Sequence, residues 1–373
     1  MPKPIITPYQ FNEYSSQIVD IYVELEDELF LQIAKRLKTN PAHGKDYVLQ
    51  WKVEKMQQLR MLNQETIKEL SKATGLAASE IESMINDVGF KSIKSIDEEL
   101  KGRYKALPPP TQIDIVLQGF VTQTFLELDN YVNQTLISTT FGRGTVADMY
   151  RKIVEEATAQ VLAGNKMINQ AVAETTIKWA GKGFATGFVD KGGRTWHLEQ
   201  YADTLIRNTV NNTYNELRTS RMEEYGVDLV LVNSYSDPRP ACSQIQGNVC
   251  SMSNPSSNPK YPSIYEFGYG EPWGIRGVNC RHILYPFIDG LNTNNQLQYR
   301  DEEMKKNYDL SQKQRYYERQ VRKAKRSLNL ANEIGDEDSV KRYKKLVRSK
   351  QADVREFIGE NKLPRRYDKE KVF

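Results

Sequence analysis

The chain has 373 residues, of which 39% are hydrophobic and 27% charged, enough for two or three domains with sizeable cores and abundant polar surface. It contains no apolar run approaching about 18 residues, which excludes a membrane-spanning helix. Three cysteines exclude a disulfide framework and point to a reducing compartment, and the opening MPKPIITPYQFNEYSS lacks the basic-then-apolar layout of a secretory signal. The net charge of +4 is unevenly placed. Residues 311–373 hold 19 Lys and Arg against 10 Asp and Glu, a net of +9, which leaves −5 for the rest of the chain.

Taken in chain order, residues 7–38 read as a helix. Ile18, Ile21, Tyr22, Leu25, Leu29, Ile33 and Leu37 make an apolar stripe interleaved with Ser15, Asp20 and Glu24. A second helix is expected over residues 46–62. The stretch NQETIKELSKATGLAASEIESMINDVGF then reads as two short helices broken at Gly75, the second opened by a capping box from Ser79 to Glu82. LPPPT ends this first region near residue 110.

A central helical block spans residues 111–226. It is interrupted by GKGFATGFVDKGGRT, which lacks a phosphate-loop spacing and reads as a connection or small hairpin, and it stops at Gly226. VDLVLVNSY reads as a strand. It opens a loop-rich α+β module near residues 227–290 whose Pro, Gly, Ser and Asn content argues for a staple. Residues 291–373 form a basic tail of two polar helices joined around EIGDEDS. The expected fold is therefore mainly α, in four sequential blocks: 1–110, 111–226, 227–290 and 291–373.

All three cysteines fall in this module, in DPRPACSQIQGNVC and GIRGVNCRHILYPF. Cys242, Cys250, Cys280 and His282 suit a structural zinc site, since zinc takes thiolate and imidazole ligands in a tetrahedron. Residues two apart in an extended segment share a face, so Cys280 and His282 can grip one ion, and a turn at QGN, between Cys242 and Cys250, could bring those two together. The alternatives are three buried thiols with a hydrogen-bonded histidine, a Cys–His nucleophile, or a zinc hydrolase with Glu266 or Glu271 as base. Either of the last two would make the chain an enzyme acting on nucleic acid or protein. His43 and His197 read as helix-flanking residues, and Asp237 and Arg239 as a local ion pair across Pro238. In the tail, Arg322, Lys323, Lys325, Arg326, Lys341, Arg342, Lys344 and Lys345 are candidate contacts to DNA or to an acidic surface.

DPRPACSQIQGNVCS, KYPSIYEFGYGEPWGIRGVNCRHILYPFIDG, QKQRYYERQVRKAKR, the opening ITPYQFNEYSSQIVDIYVELEDELFLQIAKRL and the closing RRYDKEKV together resemble the phage minor capsid protein 2 family, among the Mu-F-like head morphogenesis proteins. The resemblance implies a non-enzymatic virion component, made in the bacterial cytoplasm and present in multiple copies at the portal vertex or capsid interior. Its implied partners are the portal protein, the major capsid protein and packaged DNA, with no membrane. Its implied roles are head assembly, DNA packaging or genome delivery. In the family the position of Cys242 often holds His, an exchange that suits a metal ligand, whereas Cys250 matches no ligand position. The stripe Ile18–Ile21–Leu25–Leu29 is then expected to dock residues 7–110 on the portal or shell.

Overall fold

The computed structural model describes residues 8–38, 47–100, 113–137, 145–164 and 166–372. The chain is mainly α. In order it forms α1 (Pro8–Leu37), α2 (Val48–Gln57), α3 (Leu59–Leu100), α4 (Ile113–Leu128), a π-helical turn (Asp129–Asn133), α5 (Gln134–Leu136), α6 (Thr145–Leu162) and α7 (Ile168–Ala180). The hairpin strands β1 (Ala185–Val189) and β2 (Thr195–His197) follow, then α8 (Leu198–Glu224), β3 (Leu229–Val232), α9 (Pro240–Ser243), β4 (Val249–Ser251), a 3-10 turn (Ile264–Phe267), β5 (Leu284–Pro286), α10 (Asp301–Ile334) and α11 (Glu337–Asn361). Among the described residues no helix is long and apolar enough to cross a membrane.

Two local expectations fail for identifiable reasons. The helix expected over residues 46–62 is divided between α2 and the start of α3. Gly75 does not break α3, which runs through it for 42 residues. A side chain at Gly75 would meet nothing within 4 Å, so the site is open, and an exposed helical glycine costs only about 1 kcal/mol, well within what α3 recovers by packing. Ser79 and Glu82 therefore lie inside a helix and cap nothing. The LPPPT break falls outside the described residues. The glycine-rich connection is the β1–β2 hairpin, as its composition suggested.

The chain folds as two compact units, each assembled from three stretches distant in sequence, so the units cut across the four sequential blocks. One unit comprises residues 1–18, 78–125 and 203–311. Its antiparallel sheet has the order β4–β3–β5. All four residues of β3 are buried, which is why its sequence is continuously apolar. Pro286 sits on the edge strand β5, where a missing ladder donor is tolerated. Val230, Val232, Ile245, Ile264, Ile275 and Leu284 share one apolar core with Ile96 and Leu100 of α3, Met222 of α8 and Tyr225 just beyond it. The module at 227–290 thus has a packed core after all, because helices remote in sequence supply the other side of it.

The second unit comprises residues 19–77, 126–202 and 312–373. The α1 stripe is consumed internally: Leu25 and Leu29 are 4% and 0% exposed, as is Ile18 at 1% in the first unit. Ile18, Leu25 and Leu29 are therefore core while Ile21 is half-buried, so those three residues do not themselves offer the docking surface expected of the stripe. Phe30 stacks on Phe184 at 4.2 Å, and the Phe184 N–H donates to Glu26 at 2.9 Å. Burial raises the Glu26 carboxyl above its usual range, opposed by Arg326. Arg326 pairs with Glu26 at 3.2 Å, with Asp27 and with Glu199. Gly335 adopts φ +84° to end α10, and Asp336 then caps α11 by accepting from the Ser339 N–H at 3.0 Å.

Removing Arg326 leaves two buried carboxylates without their cation. Arg326→Ala should lower stability to chemical denaturation by about 3–5 kcal/mol. Lys341→Ala, which removes an exposed partner of Glu337, should change it by less than about 0.5 kcal/mol. Equal effects from the two variants would refute the structural role of Arg326.

Candidate functional site

The site begins on α8. Asn208, Asn211, Asn215 and Arg218 recur at spacings of three, four and three, which places them on one face of the helix. That face holds the irregular segment 276–284 through the backbone of Asn279, His282 and Leu284 and through the side chain of Arg276. Asn208 Oδ1 accepts from the Asn279 N–H at 2.8 Å, and Arg276 Nη1 donates to the Asn211 carbonyl and Oδ1 at 2.8 and 2.9 Å. Asn215 donates to the His282 carbonyl at 3.2 Å and accepts from the Leu284 N–H at 3.1 Å. Arg218, fully buried, donates to the Leu284 carbonyl at 3.2 Å and pairs with Glu99 at 2.9 Å. The segment is fixed without being a strand because side-chain amides satisfy its polar backbone. Arg276 and Asn279 take left-handed backbone there, with φ of 66° and 60°.

This face delivers Cys280 and His282 to Cys242, which sits on α9 behind an N-terminal Pro240. Cys242 Sγ lies 3.9 Å from Cys280 Sγ, and Cys280 Sγ lies 3.7 Å from His282 Nδ1. The three ligand atoms are all within 4.8 Å of one another. The residues are 0%, 5% and 2% exposed in the order Cys242, Cys280, His282. His282 Nε2 is 3.2 Å from Gln246 Oε1. Gln246 is itself fixed by a reciprocal pair with Tyr235, whose N–H donates to Oε1 and whose carbonyl accepts from Nε2, both at 3.0 Å. Oε1 is thus an acceptor, so His282 Nε2 carries the proton and Nδ1 presents a lone pair to the sulfurs. The Tyr235 ring closes edge-on against the imidazole at 5.1 Å. The hydrogen bond from Cys242 holds the Cys280 thiol well below its usual range against its burial. The same contact, with burial, pushes Cys242 up.

Cys250 is not part of the cluster. It lies on β4 opposite Val230 in the apolar core, where burial, aided by the charge of Glu266, pushes its thiol up to about 12. The turn at Gly247, φ +75°, carries the chain from α9 into β4 rather than folding Cys250 back to Cys242. Neither expected base joins the site. Glu266 closes a capping box with Ser263, and Glu271 is exposed. Asp237 pairs with Arg281 at 3.0 Å, not with Arg239. Arg239 instead donates to Cys242 Sγ at 3.2 Å, to the Pro272 and Val278 carbonyls at 3.3 and 2.7 Å, and to the Gly274 carbonyl. An acyl substrate would have to displace packed side chains to reach Cys280, and the group orienting His282 is an amide rather than a carboxylate, so the geometry does not favour a nucleophile. His43 lies outside the described residues, and His197 is exposed at the end of β2.

The cationic residues divide. Arg322 donates to Glu199 and to the Lys369 carbonyl, Lys325 donates to the Glu370 carbonyl at 2.7 Å, and Arg326 is committed to Glu26 and Asp27. These three are internal clasps and not a free binding surface. Lys323 is exposed, its side chain lying beside Gly181. Lys341, Arg342, Lys344 and Lys345 are all exposed on α11. Sequence reasoning missed the α8 asparagines and Gln246. The signal for the asparagines is their three-four recurrence on a helix, a residue that helices otherwise disfavour.

Residues 6–359 match the family model described as phage minor capsid protein 2. A "Structural protein" of Lactococcus phage LL-H is 34% identical over 364 residues, covering 95% of this chain and 98% of that protein. A second "Structural protein", from Lactococcus phage mv4, is 43% identical over 120 residues, covering 32% of this chain and 98% of that protein. No solved structure matches. With a family match that takes in the α8 face, the buried Cys–Cys–His cluster and both tail helices, the chain belongs to the phage minor capsid protein 2 family.

Proposed function

We propose that this structural protein acts in the phage head, at the portal vertex or capsid interior, in several copies that contact the portal and major capsid proteins during assembly, packaging or delivery of the genome. The observation that carries the reading is the family match from residue 6 to residue 359, together with a structural relative aligned along nearly its whole length. Purified heads analysed by cross-linking and mass spectrometry should contain several copies of the chain linked to portal subunits. Links confined to tail proteins would overturn the head assignment.

Contact with DNA rests on α11. Lys341, Lys344, Lys345 and Arg348 recur at three- and four-residue spacing, so they share one face, and all are exposed. Arg342 is exposed beside them and lies over the Tyr343 ring. Such a face suits a phosphate backbone, read without base specificity. Each phosphate neutralised contributes about 0.9 to the slope of log K against log salt. Replacing Lys341, Arg342, Lys344 and Lys345 by Gln should reduce that slope for duplex DNA by up to about 3.6, while Arg322→Gln should leave it unchanged. A full chain that ignores duplex DNA at low salt would transfer this face to an acidic protein wall.

A further inference from the structure

We propose that Cys242, Cys280 and His282 bind one zinc ion, and that Gln246 is the positioning residue that holds His282 in the ring form the ion requires. Four observations on this chain carry the proposal. The first is distance. Tetrahedral zinc, with bonds of about 2.3 Å to sulfur and about 2.0–2.1 Å to nitrogen, sets two sulfurs about 3.8 Å apart and sulfur and nitrogen about 3.5 Å apart. The separations are 3.9 Å for the sulfurs and 3.7 Å for Cys280 Sγ to His282 Nδ1.

The second is donor chemistry. Two thiols and an imidazole suit zinc, whereas magnesium and calcium require oxygen donors. Both sulfurs bind as thiolates, any thiol proton they still carry passing to solvent, and the two thiolates balance the double charge of the ion. The third is the outer layer. A metal-bound histidine gives its other ring N–H to a fixed acceptor. Gln246 Oε1 is such an acceptor at 3.2 Å, and its amide is locked by two hydrogen bonds to the Tyr235 backbone.

The fourth is support. Asn215 fixes the backbone on either side of Ile283, and Arg239 ties Cys242 to the loop at 272–278. The ligands are thus presented from two segments already held in place, and the ion clasps those segments together. No fourth Cys, His, Asp or Glu joins the group among the described residues, so water completes the coordination. With every ligand residue at most 5% exposed, that water is enclosed, and the site is a staple rather than a hydrolytic centre. A disulfide is the competing use of Cys242 and Cys280, but it would require the sulfurs to close from 3.9 Å to about 2.05 Å.

The test uses the full chain, purified from zinc-supplemented cells without a metal-affinity step. Elemental analysis should find about one zinc per chain. Cys250→Ser should keep it, and Cys280→Ser and His282→Ala should lose it. Gln246→Leu should weaken zinc affinity by about 10–100-fold, because it frees the tautomer without removing a ligand. Cobalt exchanged into the unmutated chain should show tetrahedral ligand-field bands with sulfur-to-metal charge transfer, a readout that does not depend on any variant folding. Three results would each overturn the proposal: an unmutated chain with neither zinc nor a cobalt–thiolate spectrum, loss of metal from Cys250→Ser equal to that from Cys280→Ser, or an intact mass lower by two hydrogens that reduction restores.

Discussion

The Asn215 side chain, between the His282 carbonyl and the Leu284 N–H, is the constraint on which the small sheet and the buried cluster both depend. On its C-terminal side it sets Leu284 to start β5, which pairs with β3. On its N-terminal side it sets the direction in which the chain passes through His282 and Cys280. A helix built only for apolar packing would present leucines here and leave the segment's backbone groups without partners, at about 1–3 kcal/mol each. The asparagine face therefore does what a neighbouring strand does elsewhere, and it does so from a rigid helix. Arg218 extends the arrangement by one turn and carries its charge into the interior, where Glu99, Ser95 and the Tyr214 hydroxyl meet it.

The fold was legible where hydrophobic period decides structure. The α1 stripe, the stop at Gly226 and the apolar β3 run all follow from spacing and from glycine's access to positive φ. What spacing cannot say is which partner covers an apolar face. Ile18, Leu25 and Leu29 read as a surface in search of a partner, yet all three are buried. The same blindness made the module at 227–290 look coreless, since Ile96 and Leu100 lie more than a hundred residues before it. Gly75 misled in the other direction: a local cost of about 1 kcal/mol was read as a break although the flanking turns outweigh it.

The candidate site was partly legible. Composition singled out Cys242, Cys280 and His282, and the two-residue spacing of the last pair agrees with their meeting at one point. Cys250 was grouped with them because clustering along the chain was taken for clustering in space, and β4 directs it into the core instead. The charge count of the tail was correct as a sum and uninformative about availability. Arg322, Lys325 and Arg326 carry the same formal charge as Lys341 and Lys344, yet their charges are satisfied by Glu199, Glu26, Asp27 and backbone carbonyls.

The Asp27–Arg326 contact joins residues 299 positions apart. A ribosome adding about 5–20 residues per second needs roughly 15–60 s to travel that distance. During that interval α1 carries Glu26 and Asp27 with their cation not yet synthesised, and two adjacent carboxylates resist being drawn into an apolar interior. The ion pairs that balance Glu26 and Asp27 therefore cannot form before α10 has been made, so the last stretch of the chain supplies the charge that the first helix buries.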